Sequence, residues 1–253
     1  MHLAHQIGLV GHLVWRSFSL RYKRSVLGVL WSLVPSLAQL LVLVFLFGKV
    51  VPLKIEAYPA FVFSALLPWI WFSTCLNSAG NLFIDNRSLL RRPNFAPSTL
   101  VITDTLSHVL HFLIFLPILI FLMILYSRPL TFCLLFLPLL LFVQFILTVG
   151  LSFLISTLNV FYRDIQHIVG VAVMLMFYIT PVFYQAQMIP KKYQLIYELN
   201  PMGLLVQNYR RVFFYGSMPD WNEILISCSI SLVLFFLGYT VYLHKLNDVY
   251  DTP

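Results

Sequence analysis

Six apolar runs, at residues 25–48, 60–83, 99–126, 130–158, 165–186 and 222–243, decide what this chain can fold into. Each reaches the ~20 residues that an α-helix needs to cross a bilayer. In hydrocarbon every backbone polar group must be satisfied internally, and runs of this length do that as helices. The sequence therefore predicts an all-α integral membrane protein with six transmembrane helices and both termini on one side. Of the 253 residues only 10% are charged, against about one-quarter in soluble domains. A single membrane domain, 1–253, uses up the length and leaves no room for a soluble catalytic domain. Pro35, Pro68, Pro117, Pro138 and Pro181 fall within the runs, where neighbouring helices can satisfy freed carbonyls. Cys75, Cys133 and Cys228 also lie in apolar segments and read as small core residues.

Residues 2–23 carry helical periodicity. His2, His5, His12, Arg16, Ser19 and Lys23 share one face, and Leu3, Ile7, Val10, Val14 and Phe18 the opposite one. This pattern predicts an amphipathic helix over 1–24 lying in the membrane interface. It is not a typical signal peptide, because its charges follow the first apolar residues. Arg16, Arg21, Lys23 and Arg24 stand just before the first run, and cations beside a span favour the cytoplasmic side. With the N-terminus inside, the 16 Lys and Arg divide nine inside to seven outside. Four of the seven, Lys191, Lys192, Arg210 and Arg211, belong to one segment, 187–220. The net charge of +7 lies at the ends of apolar segments, as membrane anchors do, and points to no nucleic-acid partner.

Two polar segments break the pattern. Residues 84–98 form the most polar internal loop, in which Asp85 or Asn86 can cap a short helix ending before Pro93. Arg87, Arg91 and Arg92 give it charge, and Leu89 and Leu90 a small apolar face. Such a piece serves equally as a membrane-surface anchor or as a docking knob for a partner. Residues 180–220 contain Pro181, Pro190, Pro201 and Pro219 around two amphipathic pieces, 191–199 and 202–214, each too short to span. Backbone at membrane depth that does not cross must be buried in protein or line a wet cavity. The expectation is a re-entrant or surface-lying helical hairpin at 187–220 on the outer side, before the last span, broken at Asn200-Pro201.

Catalytic motifs are absent. Gly48-Lys49 is followed by Val50, and Leu43 stands where a phosphate-binding loop needs its first glycine. No HExxH or GxSxG occurs. Asp104, His108 and His111 share a helical face at i, i+4 and i+7. Metal binding or proton relay competes there with a polar stripe facing a wet lumen or a neighbouring subunit, and the stripe is preferred. Aromatic residues, among them Trp31, Trp69, Tyr178, Phe183, Tyr184, Tyr197 and Tyr209, gather near the expected interfaces. They form an aromatic belt or line a path for sugar rings. Residues 159–168 join two spans with almost no loop.

Three stretches, RYKRSVLGVLWSLVPSL at 21–37, LNVFYRDIQHI at 158–168 and the TPVFY…MIP…Y…LNPM…YR pattern at 180–210, resemble the membrane subunits of ABC exporters for bacterial surface polysaccharides. That family moves lipid-linked O-antigen, capsule or teichoic acid polymers, and O-antigen fits this plain six-span plan best. The resemblance implies a bacterial inner-membrane permease with both termini cytoplasmic, working as a homodimer with two separate ABC ATPase subunits. ATP and magnesium then belong to those ATPases, and this chain binds no cofactor or metal and has no catalytic residues. It further implies that 84–98, with Arg87, Leu89, Leu90, Arg91 and Arg92, couples to the ATPase. The N-terminal helix borders the cytoplasmic mouth, where Arg16, Arg21, Lys23, Arg24, Asp104 and His108 are placed. The helices of 187–215, with Asn200 and Pro201 at their break, gate the outside; Trp31, Trp69, Tyr178, Phe183, Tyr184, Tyr197 and Tyr209 are assigned to the path and gate. An integral-membrane enzyme acting on lipid-linked sugars is the alternative from another class, but the nine acidic residues are scattered instead of clustered at one membrane face. A proton-coupled secondary transporter would want internal repeats and midplane carboxylates.

Overall fold

The computed structural model describes Gly11, Val14, residues 30–92 and 95–246, and Asp248. Among these the chain is helical, without a strand. Helix α1 (Leu30–Phe45) ends in a π turn, Leu46–Val50, and α2 runs from Tyr58 to Ala79. Two one-turn helices follow, α3 (Leu82–Asp85) and α4 (Arg87–Leu90). Next come α5 (Ser98–Leu125), a 3-10 turn (Phe132–Phe136) leading into α6 (Leu137–Phe161), and α7 (Ile165–Ile179). The short α8 (Gln194–Glu198) precedes α9 (Pro201–Arg210), which closes in a π turn, Arg211–Tyr215. The last helix is α10 (Trp221–His244). Apart from Gly11 and Val14, the expected interfacial helix at 1–24, with its cations Arg16, Arg21, Lys23 and Arg24, lies outside the described residues, as does the side chain of Trp31.

Four segments are long and apolar enough to cross a membrane: Tyr58–Ala79, Ser98–Leu125, Phe132–Phe161 and Trp221–His244. The other two expected crossings are shorter apolar helices, Val34–Val50 and Ile165–Ile179. The run 165–186 is thus not one helix. Its 15 helical residues reach about 22 Å at ~1.5 Å per residue, against a hydrocarbon core of ~30 Å. The helix stops because a residue before proline is pushed out of the helical region: Thr180, before Pro181, has φ −76° and ψ 132°. Pro138 lies in the first turn of α6, where its missing N–H costs nothing.

Helix α2 is the central post, packed against α1, α5, α6, α7 and α9. In its most apolar window 78% of the residues are buried, against 28%, 33% and 22% in the other three long segments, which turn large side chains such as Phe121, Phe142 and Phe236 outward. Lipid is as apolar as leucine, so helices in it associate through close packing and hydrogen bonds. Both devices are present. The Gln144 amide donates to the carbonyl of Pro68 at 2.8 Å, an interhelical bond contributing about 1 kcal/mol. Helices α6 and α10 cross at Gly150 and Gly238, where a Cβ on Gly150 would collide with the Phe235 backbone and one on Gly238 with the carbonyl of Gly150.

Candidate functional site

Most of α2 is buried, but one strip, Ser73, Thr74 and Asn77, is not. Each of these side chains bonds back to its own helix: Ser73 Oγ and Thr74 Oγ1 donate to the Ile70 carbonyl at 3.2 and 2.6 Å, and Asn77 Nδ2 to that of Ser73 at 2.8 Å. The strip therefore needs no protein partner and keeps acceptor capacity for water or hydroxyl groups. Ser73 and Asn77 of this strip floor a groove of about 350 Å³ with Gln39 from α1 and Gly170, Phe177 and Tyr178 from α7. Gly170 keeps the groove open: a Cβ there would meet only Asn77 Oδ1, at 3.9 Å.

An aromatic string leaves the groove toward the end where α7 stops. Trp69 packs on Phe177 with centroids 5.7 Å apart, Phe177 on Phe183 at 5.7 Å, and Phe183 on Tyr184 at 5.0 Å. Phe47 from the π turn after α1 stacks on Phe183 at 5.0 Å, and the Tyr58 hydroxyl donates to the Phe183 carbonyl at 2.8 Å. Of the aromatic residues assigned to the path by sequence, Trp69, Tyr178, Phe183 and Tyr184 are brought together. Tyr197 and Tyr209 are not: both are buried, Tyr197 donating to the Gly203 carbonyl and Tyr209 packed between Phe112 and Phe213.

The break at Asn200 is built from side-chain bonds. Asn200 Oδ1 accepts from the Gly203 amide at 3.1 Å, an N-cap with Pro201 at the first helical position. Its Nδ2 donates to Thr180 Oγ1 at 3.0 Å, tying the start of α9 to the end of α7. Helix α9 is buried against α2 and α10, and the Pro201 carbonyl accepts from Ser227 Oγ at 3.0 Å.

The sequence places Arg210 on the outer side only as one cation among seven; in the structure it is 1% exposed. Its Nη2 donates to the carbonyls of Pro181 and Val182 at 2.8 Å each, and the guanidinium lies 3.8 Å from the Phe61 ring centroid. Burial draws its pKa down to about 10, opposed by nearby tyrosines, so it remains a cation at neutral pH. The signal was there: Arg210 stands four residues after Val206 and eight after Met202, on the apolar face of α9.

At the other end of the bundle, α3 and α4 hold the polar loop. Leu90 is not a docking face: it is buried with Phe83, Leu100, Val149, Phe153 and Tyr242, because a one-turn helix must bury its apolar residue against something. Leu89 is half-buried on that cluster, Arg87 is half-buried, and Arg91 and Arg92 are exposed. Asn86 makes no N-cap bond; its amide donates back to Leu82. Asn159 fastens this end, its Nδ2 donating to Gly80 at 2.7 Å and its Oδ1 accepting from the Gln166 amide at 3.0 Å. Phe161 takes the Lys245 ammonium on its face at 5.2 Å.

Asp104 and His108 face α2, not the groove. Ser78 Oγ donates to Asp104 Oδ2 and lies 3.4 Å from His108 Nε2, while the Asp104 and His108 side chains approach to 3.7 Å. The His111 ring is 5.9 Å from that of His108. Among the described residues no three metal-ligating side chains are grouped to hold an ion.

The family model described as ABC-2 type transporter matches residues 8–214. The chain belongs to that family. It is a multi-pass membrane transport permease that works with an ATPase partner, not an enzyme. It is similar to the O-antigen export system permease protein RfbA of Myxococcus xanthus, 32% identical over 93% of this chain and 91% of that one. It is similar to the protein of the same name from Klebsiella pneumoniae, 31% identical over 90% and 88%. It also matches the polysialic acid transport protein KpsM of Escherichia coli, 23% identical over 90% and 89%.

Proposed function

We propose that this chain is the membrane subunit of an ATP-driven exporter that carries a lipid-linked surface polysaccharide, O-antigen first, from the cytoplasm across the inner membrane. The groove carries this reading. A polar strip with aromatic walls suits sugar rings, whose hydroxyls need partners and whose faces stack on Trp69, Phe177 and Tyr178. On either side, α1 and α7 expose apolar residues, Leu41, Val42 and Phe45 on one and Val171, Met174 and Leu175 on the other. A second copy covering them would close two grooves into one conduit. Capsular polysaccharide is the second cargo reading, favoured by the similarity to KpsM; teichoic acid is the third.

In this reading α1 and α7 complete six crossings with both termini cytoplasmic, and residues 1–24 lie in the interface with Arg16, Arg21, Lys23 and Arg24 at the mouth. Asp104 and His108 stiffen α5 beside that mouth. Two ATPase subunits, holding ATP and magnesium, dock on 84–98 through Arg87, Arg91 and Arg92, with Leu89 and Leu90 shaping the loop. The 187–220 hairpin, hinged at Asn200-Pro201, closes the outer end near Phe183 and Tyr184. Deleting the gene should remove polymer from the cell surface and accumulate lipid-linked polymer in the cytoplasm. Unchanged surface polymer would refute the reading.

A further inference from the structure

A second cavity, about 310 Å³, lies beside the hairpin and apart from the groove. Gln185, Gln187, Gln207, Arg210, Arg211 and Tyr215 form its wall, with Phe61 behind Arg210. It is open past Gln187 and Tyr215, both exposed. Its size is at the lower limit of the ~300–1,000 Å³ of small-molecule pockets, which suits a single sugar residue.

The two cations meet this cavity in different electrostatic states. Arg211 is neutralised, lying 3.3 Å from Asp220 and 3.2 Å from Glu223. Arg210 has no carboxylate partner among the described residues. Its donors go to neutral oxygens: Pro181 and Val182 at 2.8 Å, and the Tyr184 carbonyl and Gln207 Oε1 at a longer 3.4 Å. Its Nε is buried with no partner. Buried cations are ordinarily matched by an anion, and this one is not. Clamping two carbonyls explains Nη2. It does not explain the unpartnered Nε, or why a row of carboxamides, each with two donors and an acceptor, lines the open side.

We propose that this pocket is a subsite for one acidic sugar residue, a hexose bearing a carboxylate or phosphate group. The oxyanion sits against the Arg210 guanidinium, and the ring hydroxyls face Gln185 and Gln187. A neutral sugar would leave the buried charge as unmatched as before. The source of the ligand, an exported polymer, rests on the export reading above.

The test is a titration of the full chain in nanodiscs with three probes, glucose, glucuronate and glucose 1-phosphate, followed by ligand-observed NMR. Charge-assisted hydrogen bonds are roughly twice as strong as neutral ones, so the acidic probes should bind about tenfold or more tighter than glucose. Gln185→Leu with Gln187→Leu, both at the open side, should weaken them about tenfold with the melting temperature unchanged. Whichever acidic probe binds tighter identifies the oxyanion. Equal binding of glucose and the acidic probes, indifference to the double substitution, or no binding at all would overturn the proposal. The titration reads no transport. Failed binding with polymer export intact removes the pocket alone, whereas a deletion strain with normal surface polymer removes the export reading and leaves any binding standing.

Discussion

Arg210 lies over the Phe61 ring, 3.8 Å from its centroid, while its Nη2 holds the carbonyls of Pro181 and Val182. One side chain thereby joins the end of α9, the start of α2 and the chain just after α7. The two carbonyls are buried and lose their donor in Arg210→Ala. Charged hydrogen bonds contribute ~1.5–3 kcal/mol each, so the variant should lose roughly 3 kcal/mol, allowing for the relief of an unmatched charge. Arg210→Lys should recover only part, because an ammonium cannot fork to two carbonyls and stack at once. Thermal unfolding in detergent checks the order wild type, Lys, Ala.

The crossing of α6 and α10 makes a sharper steric prediction. Gly150→Ala puts a methyl group into the Phe235 backbone, which no rotamer change can relieve. The helices must part, at a cost of about 1–3 kcal/mol for overpacking. Gly170→Ala meets only open groove and should leave the melting temperature unchanged. Equal loss in both variants would mean that the crossing is not tight.

Much of the fold was legible because membrane crossing imposes length and apolarity together. The helices beginning at Tyr58, Ser98 and Trp221 start within two residues of the runs read from sequence. The helix read at 165–186 was misjudged because an apolar run does not reveal where backbone geometry ends it: Val182 and Phe183 are as apolar as the helix before Pro181. The site was legible by residue type only. Trp69 and Phe183 look no different in sequence from Tyr209, and only the packing separates groove from core. The burial of Leu90 and Arg210 is a matter of packing too: the short helices that carry them are held by burying one side.

Burial of Leu90 also separates two effects at the polar loop. Leu90→Asp would place a carboxylate among Phe83, Phe153 and Tyr242 and should fold poorly, whatever the loop does. Arg91→Glu with Arg92→Glu changes only exposed charge and should leave the melting temperature unchanged. If the loop docks the ATPase, that charge reversal should cut ATPase co-purification about tenfold or more, since like charges across an interface cost several kcal/mol. Full co-purification would move the docking surface elsewhere.

Gly170 tests the groove as a conduit. Gly170→Phe fills the space over Asn77 without touching the core, so assembly and ATPase binding should persist while export falls by about tenfold or more. The comparison is surface polymer against membrane-inserted permease in the same cells. Undiminished export would place the polymer's route elsewhere.

The break between α8 and α9 depends on Asn200 more than on Pro201. Proline at the first turn of a helix sits where its missing N–H is not needed, so Pro201→Ala alone should shift stability by less than about 1 kcal/mol. Asn200 holds an extended conformation, φ −88° and ψ 99°, by accepting from Gly203 and donating to Thr180. Asn200→Ala removes the cap, worth ~0.5–2 kcal/mol, and the tie to α7, worth about 1 kcal/mol more. With both residues replaced by alanine nothing stops helix from running through Gln194 to Tyr215. Such a rod would pull α8 away from the end of α7, and Thr180 would lose its partner. In vesicles holding the permease and its ATPase, the double variant should leak small solutes at rest while Pro201→Ala stays tight. A double variant as tight as wild type would make the hairpin a passive strap, not a gate.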